Sequence, residues 1–163
     1  ILAMGTGKIL KDIGLYKNRL LALFLKSDDL VQAVAESNPE DNSDDIVYKN
    51  IFPYLYVDET QTEVKTYLCL EVLVPSSPSR EIKTVKIIIW AYCHKDCMRY
   101  SKKGFVGTRV DIIVDMIERI LRDSDLFGIG KVELANVDYI SPANKFYGKQ
   151  LIYYAHDFKI KEK

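Results

Sequence analysis

Apolar positions in the first 36 residues recur at intervals of three, four and seven: Ile9, Leu10, Ile13, Leu20, Leu21, Phe24 and Leu25. Lysines and Arg19 fill the gaps, so the pattern predicts an amphipathic helix with one apolar stripe. Ser27 followed by Asp28 and Asp29 is a helix-start signal, because a serine oxygen accepts from the free N–H groups of a first turn. A short second helix through Leu30, Val31 and Val34 is expected to end before Asn38-Pro39, where proline pushes its predecessor out of helical geometry.

The period then changes to two. Over residues 64–74, Val64, Thr66, Leu68, Leu70, Val72 and Val74 face one way and Lys65, Tyr67, Cys69, Glu71 and Leu73 the other, a half-buried strand. Residues 40–45 ahead of it read as an acidic linker, residues 51–54 as an aromatic approach to the sheet, and residues 58–60 as a turn. Residues 75–79, rich in proline and serine, read as a loop. Residues 81–94 are more continuously apolar, as in a central strand covered on both faces. After a polar loop at residues 95–107, Thr108 and Asp111 form an acidic version of the capping box. The helix they open buries Val110, Ile113, Val114, Ile117, Ile120 and Leu121. Gly128 and Gly130 precede a strand at residues 131–137, residues 141–148 read as a turn, and residues 149–160 as the last strand. The order α(α)–β–β–α–β–β predicts an α+β fold: a mostly antiparallel sheet of about four strands packed against an N-terminal helix and a central helix.

Composition places this in one domain, residues 1–163, with residues 1–7 expected to be flexible or a cloning-derived leader and Met4 the natural start. Of the residues, 48% are apolar and 28% charged, which suits a globular chain and excludes a disordered one. Lys plus Arg and Asp plus Glu stand at 23 each, so no global field gathers nucleic acid, and no specific nucleic-acid partner is expected. The longest apolar runs, residues 20–25 and 85–91, fall short of the roughly 20 residues of a membrane span, so no membrane partner is expected. Three cysteines without a visible secretory leader point to reduced thiols in a cytoplasm.

Candidate chemistry is sparse. Gly5-Thr6-Gly7-Lys8 resembles part of a phosphate loop, but Leu2 and Ile9 stand where the motif needs Gly and Ser or Thr, and no strand precedes it. Cys93, His94 and Cys97, with Cys69 and His156 elsewhere, provide one short-spaced ligand pair where a structural zinc site needs two. On a strand, Cys93 and His94 point to opposite faces and cannot share a proton. No catalytic residue, cofactor or metal is expected, and the chain is not read as an enzyme.

Two features remain. Lys95, Arg99, Lys102, Lys103 and Arg109 form a basic stretch closing on a helix N-terminus, where an anion or an acidic neighbour is held well. Residues 40–45 of a second copy are one such acidic surface, giving a head-to-tail contact. The eleven tyrosines are the other feature; Tyr147 and Tyr153 are candidate interface residues, and Tyr153 and Tyr154 place a tyrosine on each face of the last strand.

The layout supplies a resemblance. The strand Lys86-Ile87-Ile88-Ile89-Trp90-Ala91-Tyr92, the helix from Arg109 to Ile117, the short strand after Phe127-Gly128-Ile129-Gly130 and the aromatic closing strand from Phe146 to Phe158 follow an N-terminal helix. Together they resemble the tail-terminator (tail-completion) proteins of tailed bacteriophages, across about residues 8–160. The resemblance implies a virion structural protein of the tail and neck, assembled in the host cytoplasm. It implies a homo-oligomeric ring, commonly a hexamer, with the tail tube protein and a head connector or head-closure protein as partners and DNA passing through the lumen. In such a ring a sheet edge of each subunit continues into the next. Neighbouring head–tail connectors, and a non-viral binding module that uses an exposed sheet edge, are the alternatives.

Overall fold

The computed structural model describes residues 2–35, 46–60, 62–76, 82–122 and 131–158; the acidic linker at residues 40–45 lies outside them. Its elements are α1 (Leu2–Lys26), α2 (Asp28–Ala35), β1 (Ile51–Phe52), β2 (Thr66–Ser76), β3 (Ile82–His94), α3 (Arg109–Arg122), β4 (Glu133–Ala143) and β5 (Phe146–Phe158). One sheet runs β1-β2-β3-β5-β4, antiparallel throughout except for β1, which lies parallel to β2. The chain is α+β, with one strand more than expected. The extra strand, β1, has two residues, too few to show any period in the sequence.

The helices pack on one face of the sheet. Leu68, Leu70 and Val72 of β2, Val85, Ile87, Ile89, Ala91 and Cys93 of β3, and Leu151, Tyr153 and Ala155 of β5 are buried there against Leu20, Phe24, Leu30, Val34, Ile113 and Ile117. Each fully buried aliphatic side chain contributes about 1.5–3 kcal/mol, so this layer is the main source of stability. The stripe of α1 runs through Tyr16, Leu20, Leu23 and Phe24, whereas Leu10, expected in it, is 65% exposed. Both helix starts form as read. The Leu30 N–H donates to Ser27 Oγ at 3.3 Å. At α3 the Thr108 N–H donates to Asp111 Oδ2 at 2.9 Å and the Asp111 N–H to Thr108 Oγ1 at 3.3 Å.

Among the described residues, the opposite face is covered at one end. Phe52, Tyr67, Cys69, Tyr92 and Phe146 form a second, smaller core with half-buried Tyr56 and Trp90. Phe52 stacks on Tyr56 with centroids 4.1 Å apart, and the Tyr92 hydroxyl donates to the Tyr56 carbonyl. The central strand β3 is thus covered on both faces near Tyr92, while Lys86 and Ile88 on its outer side stay half-exposed.

Strand limits differ from the sequence reading at three places. Val64 lies outside β2, which instead runs on through Pro75 and Ser76. β4 continues to Ala143, past the expected end at Val137. The turn expected at residues 141–148 shrinks to Asn144 and Lys145, with Ala143 facing Phe146 across the hairpin. Lys145 takes φ 69° there, a left-handed conformation uncommon outside glycine and therefore not signalled by residue type.

Candidate assembly surface

The basic stretch after β3 is fastened to its own chain. It leaves the strand through a 3-10 turn at Lys95–Cys97. Lys102 pairs with Asp29 of α2 at 3.0 Å and donates to Gln32 Oε1 at 3.3 Å. Arg109, read as a surface cation, is 8% exposed. It donates to the carbonyls of Cys97 and Ala33, each at 2.7 Å, and its guanidinium lies 4.2 Å from the Tyr100 ring centre. Five fixed donors suit arginine to such a task, tying the end of α2 to the start of α3. Arg109 is thereby spent inside the fold, while Lys95, Arg99 and Lys103 remain exposed. The α3 N-terminus, read as an anion site, already holds the chain's own carboxylate. Desolvation works to raise the pKa of Asp111, but bonds from Lys149 and Thr108 together outweigh it and hold the carboxyl below its ordinary value.

Of the two tyrosines, Tyr147 is 38% exposed and Tyr153 fully buried. The Tyr153 hydroxyl donates to Glu118 of α3, and burial followed by that carboxylate raises its pKa. Tyr153 therefore anchors α3 to the sheet instead of facing a neighbour. The cysteines are divided by the sheet: Cys93 and Cys97 belong to the helix-side core and Cys69 to the outer one. Burial pushes the Cys69 thiol up to about 11, so it stays protonated near neutrality. His94 falls on the face opposite Cys93, its ring edge against Phe146.

The two sides of the sheet end differently. On the β1/β2 side, β1 covers the first part of β2, through Leu68 and Cys69. Beyond it Glu71 covers one donor of the edge: its carboxylate accepts from the Val72 N–H at 3.0 Å and pairs with Lys17 of α1 at 2.7 Å. Buried Asn50 fastens the same side, donating to the carbonyls of Val34 and Thr66. A charge laid over a strand edge is a standard way of preventing strand addition.

β4, at the other end, pairs among the described residues with β5 alone. Antiparallel partners share a face, and Lys149, Leu151 and Tyr153 of β5 face α3. Their partners Tyr139, Val137 and Leu134 therefore lie on the helix side, yet they are 70%, 46% and 40% exposed. α3 lies over β3 and β5, so β4 projects beyond the helical layer as an apolar overhang. Register shifts at 134/136 and 140/143 bound a regular stretch from Asn136 to Ile140.

Sequence reasoning missed this overhang. The shift at 134/136 places Leu134 and Val137 on one face at a spacing of three, which period-two counting rejects.

A family model, YomW, matches residues 18–155. The chain belongs to the YomW family. That family is named after a protein of a Bacillus phage region, and the chain is phage-associated. The matched span takes in both sides of the sheet, from within α1 to within β5. A search of curated proteins returned no match.

Proposed function

We propose that the chain is a structural subunit of a tailed-phage neck, of the tail-terminator kind. It closes into a homo-oligomeric ring on the end of the tail tube and meets the head connector or head-closure protein. Six copies are the expected number, the ring stands in the virion after assembly in the host cytoplasm, and DNA crosses its lumen without base-specific contacts. The role is structural and not catalytic. Phage association and the α+β layout support this reading. The observation that carries it is the asymmetry of the sheet: one side closed, the other ending in an exposed apolar strand. A subunit with one donating edge builds closed rings when the rotation between copies returns to its start.

The same regular stretch of β4 favours a second reading, a module that captures a partner segment by strand addition. Mixing the purified chain with polymerised tail-tube protein of the same phage separates the two. The ring reading expects capped tubes of fixed length under negative stain, with the chain co-sedimenting at one ring per end. A chain that stays monomeric and leaves the tubes uncapped would contradict it.

A further inference from the structure

We infer that residues 159–163 of a second copy add to the free edge of β4 as a further strand. This rests on the chain being a self-assembling subunit and names the segment that meets β4.

The edge sets the requirement. Leu134, Val137 and Tyr139 lie on its helix side, whereas Glu133 and Asp138, opposite Tyr154 and Gln150, lie on the outer side. Asn136 donates to Asp138 Oδ2 at 2.6 Å, and among the described residues neither carboxylate is in a salt bridge. A strand entering here fits best with basic residues on its outer face and an apolar residue on the other. A second β4 does not meet that requirement. Paired antiparallel about the middle of the regular stretch Asn136–Ile140, two copies set Asp138 against Asp138.

Past β5 the chain continues as Lys159-Ile160-Lys161-Glu162-Lys163, outside the described residues. In an extended strand its three lysines share one face and Ile160 takes the other. The other undescribed stretches fit less well: residues 36–45 and 123–130 carry acidic residues and no basic one, and residues 77–81 set Arg80 beside Glu81 and include Pro78. An antiparallel register with Lys159 opposite Asp138 sets Ile160 opposite Val137 and Lys161 opposite Asn136. Glu162 then falls where β4 bulges at Ala135, outside the regular stretch.

Reach selects a second copy over the same chain. Phe158 lies four residues past Tyr154, which faces Glu133 at the near end of β4. The way back to the free edge is about 13 Å along the strand and about 10 Å across it. Five residues extend at most about 17 Å, so none is left to pair. Each copy has one free edge and one such segment, so the contact runs head to tail and propagates around a ring.

The test uses two full-length variants, Val137→Asp on the edge and Lys159→Glu with Lys161→Glu in the segment, with folding checked by circular dichroism and thermal melting. At concentrations where the wild-type chain assembles by light scattering, each variant alone should associate at least about tenfold more weakly. Mixed, they should form a 1:1 dimer that grows no further, since the intact segment of Val137→Asp meets the intact edge of the other variant. Charge reversal gives an independent readout: adding Glu133→Lys and Asp138→Lys to the segment variant should restore its assembly. A segment variant that assembles like the wild type gives the edge to another occupant, a second β4 included, and overturns the inference while the ring reading stands. If both variants are defective but their mixture stays monomeric, the segment does not enter the edge and the inference is again overturned. If the wild type is monomeric at every concentration and with tail tubes present, both readings fail.

Discussion

The two ends of the sheet solve the same physical problem in opposite ways. At β2 the free backbone is covered as far as Val72: β1 pairs with its first part, Glu71 accepts from the Val72 N–H, and Lys17 of α1 holds Glu71 in place. At β4 the backbone faces outward and three apolar side chains project beyond α3. An unpaired strand edge is a template for association, so a chain that closes one and leaves the other open directs its contacts. On the proposed reading, association belongs to the open side.

That contrast can be broken by substituting residues of similar type at the two ends. The largest loss is expected for Leu68→Ala in β2, which empties a fully buried site beside β1 and should cost about 2–5 kcal/mol in urea unfolding. Arg109→Met comes next. It keeps an apolar stem but removes the bonds to the Ala33 and Cys97 carbonyls, and a loss of about 1–3 kcal/mol is expected by the same method.

Asp111→Asn should cost about 1 kcal/mol, the usual worth of a helix cap, and change the acid limb of stability. The Asp111 carboxyl is held below its ordinary value of about 4. Its contribution is therefore complete above that ordinary value and is lost as pH falls through the lower folded one. Thermal melting of the wild type below about pH 4 should fall more steeply than that of Asp111→Asn.

Glu71→Val is expected to change stability by less than about 1 kcal/mol, since the Lys17 pair is partly exposed. It uncovers the Val72 N–H, and light scattering should report larger, open-ended aggregates in place of closed ones. The smallest effect on folding belongs to Val137→Ala in β4, within about 0.5 kcal/mol. The same substitution should weaken self-association, so stability and assembly separate at the two ends.

The sequence made the helix-side core legible because Leu68, Leu70 and Val72 keep a strict period of two and Val110, Ile113 and Ile117 a helical one. Ser27, Thr108 and Asp111 marked helix starts by chemistry alone. The surface was legible only in part. Lys95, Arg99 and Lys103 are exposed as expected, but Arg109 and Tyr153 are turned inward by partners distant in sequence, Ala33 and Glu118. A basic or aromatic residue near a helix end carries no signal of such a partner. The open edge was hidden by its own irregularity, since a shift of register at 134/136 disguises the face shared by Leu134 and Val137. The closing role of Glu71 was equally invisible, because it depends on Lys17 arriving from α1.

The central claim is that association uses β4 and spares the β2 edge. Amide hydrogen exchange on the wild-type chain, compared between a dilute monomeric sample and a concentrated assembled one, tests it directly. The account expects exchange to slow at residues 136–140 on assembly and to stay unchanged at residues 70–76. Slowing at residues 70–76, with residues 136–140 unaffected, would contradict it.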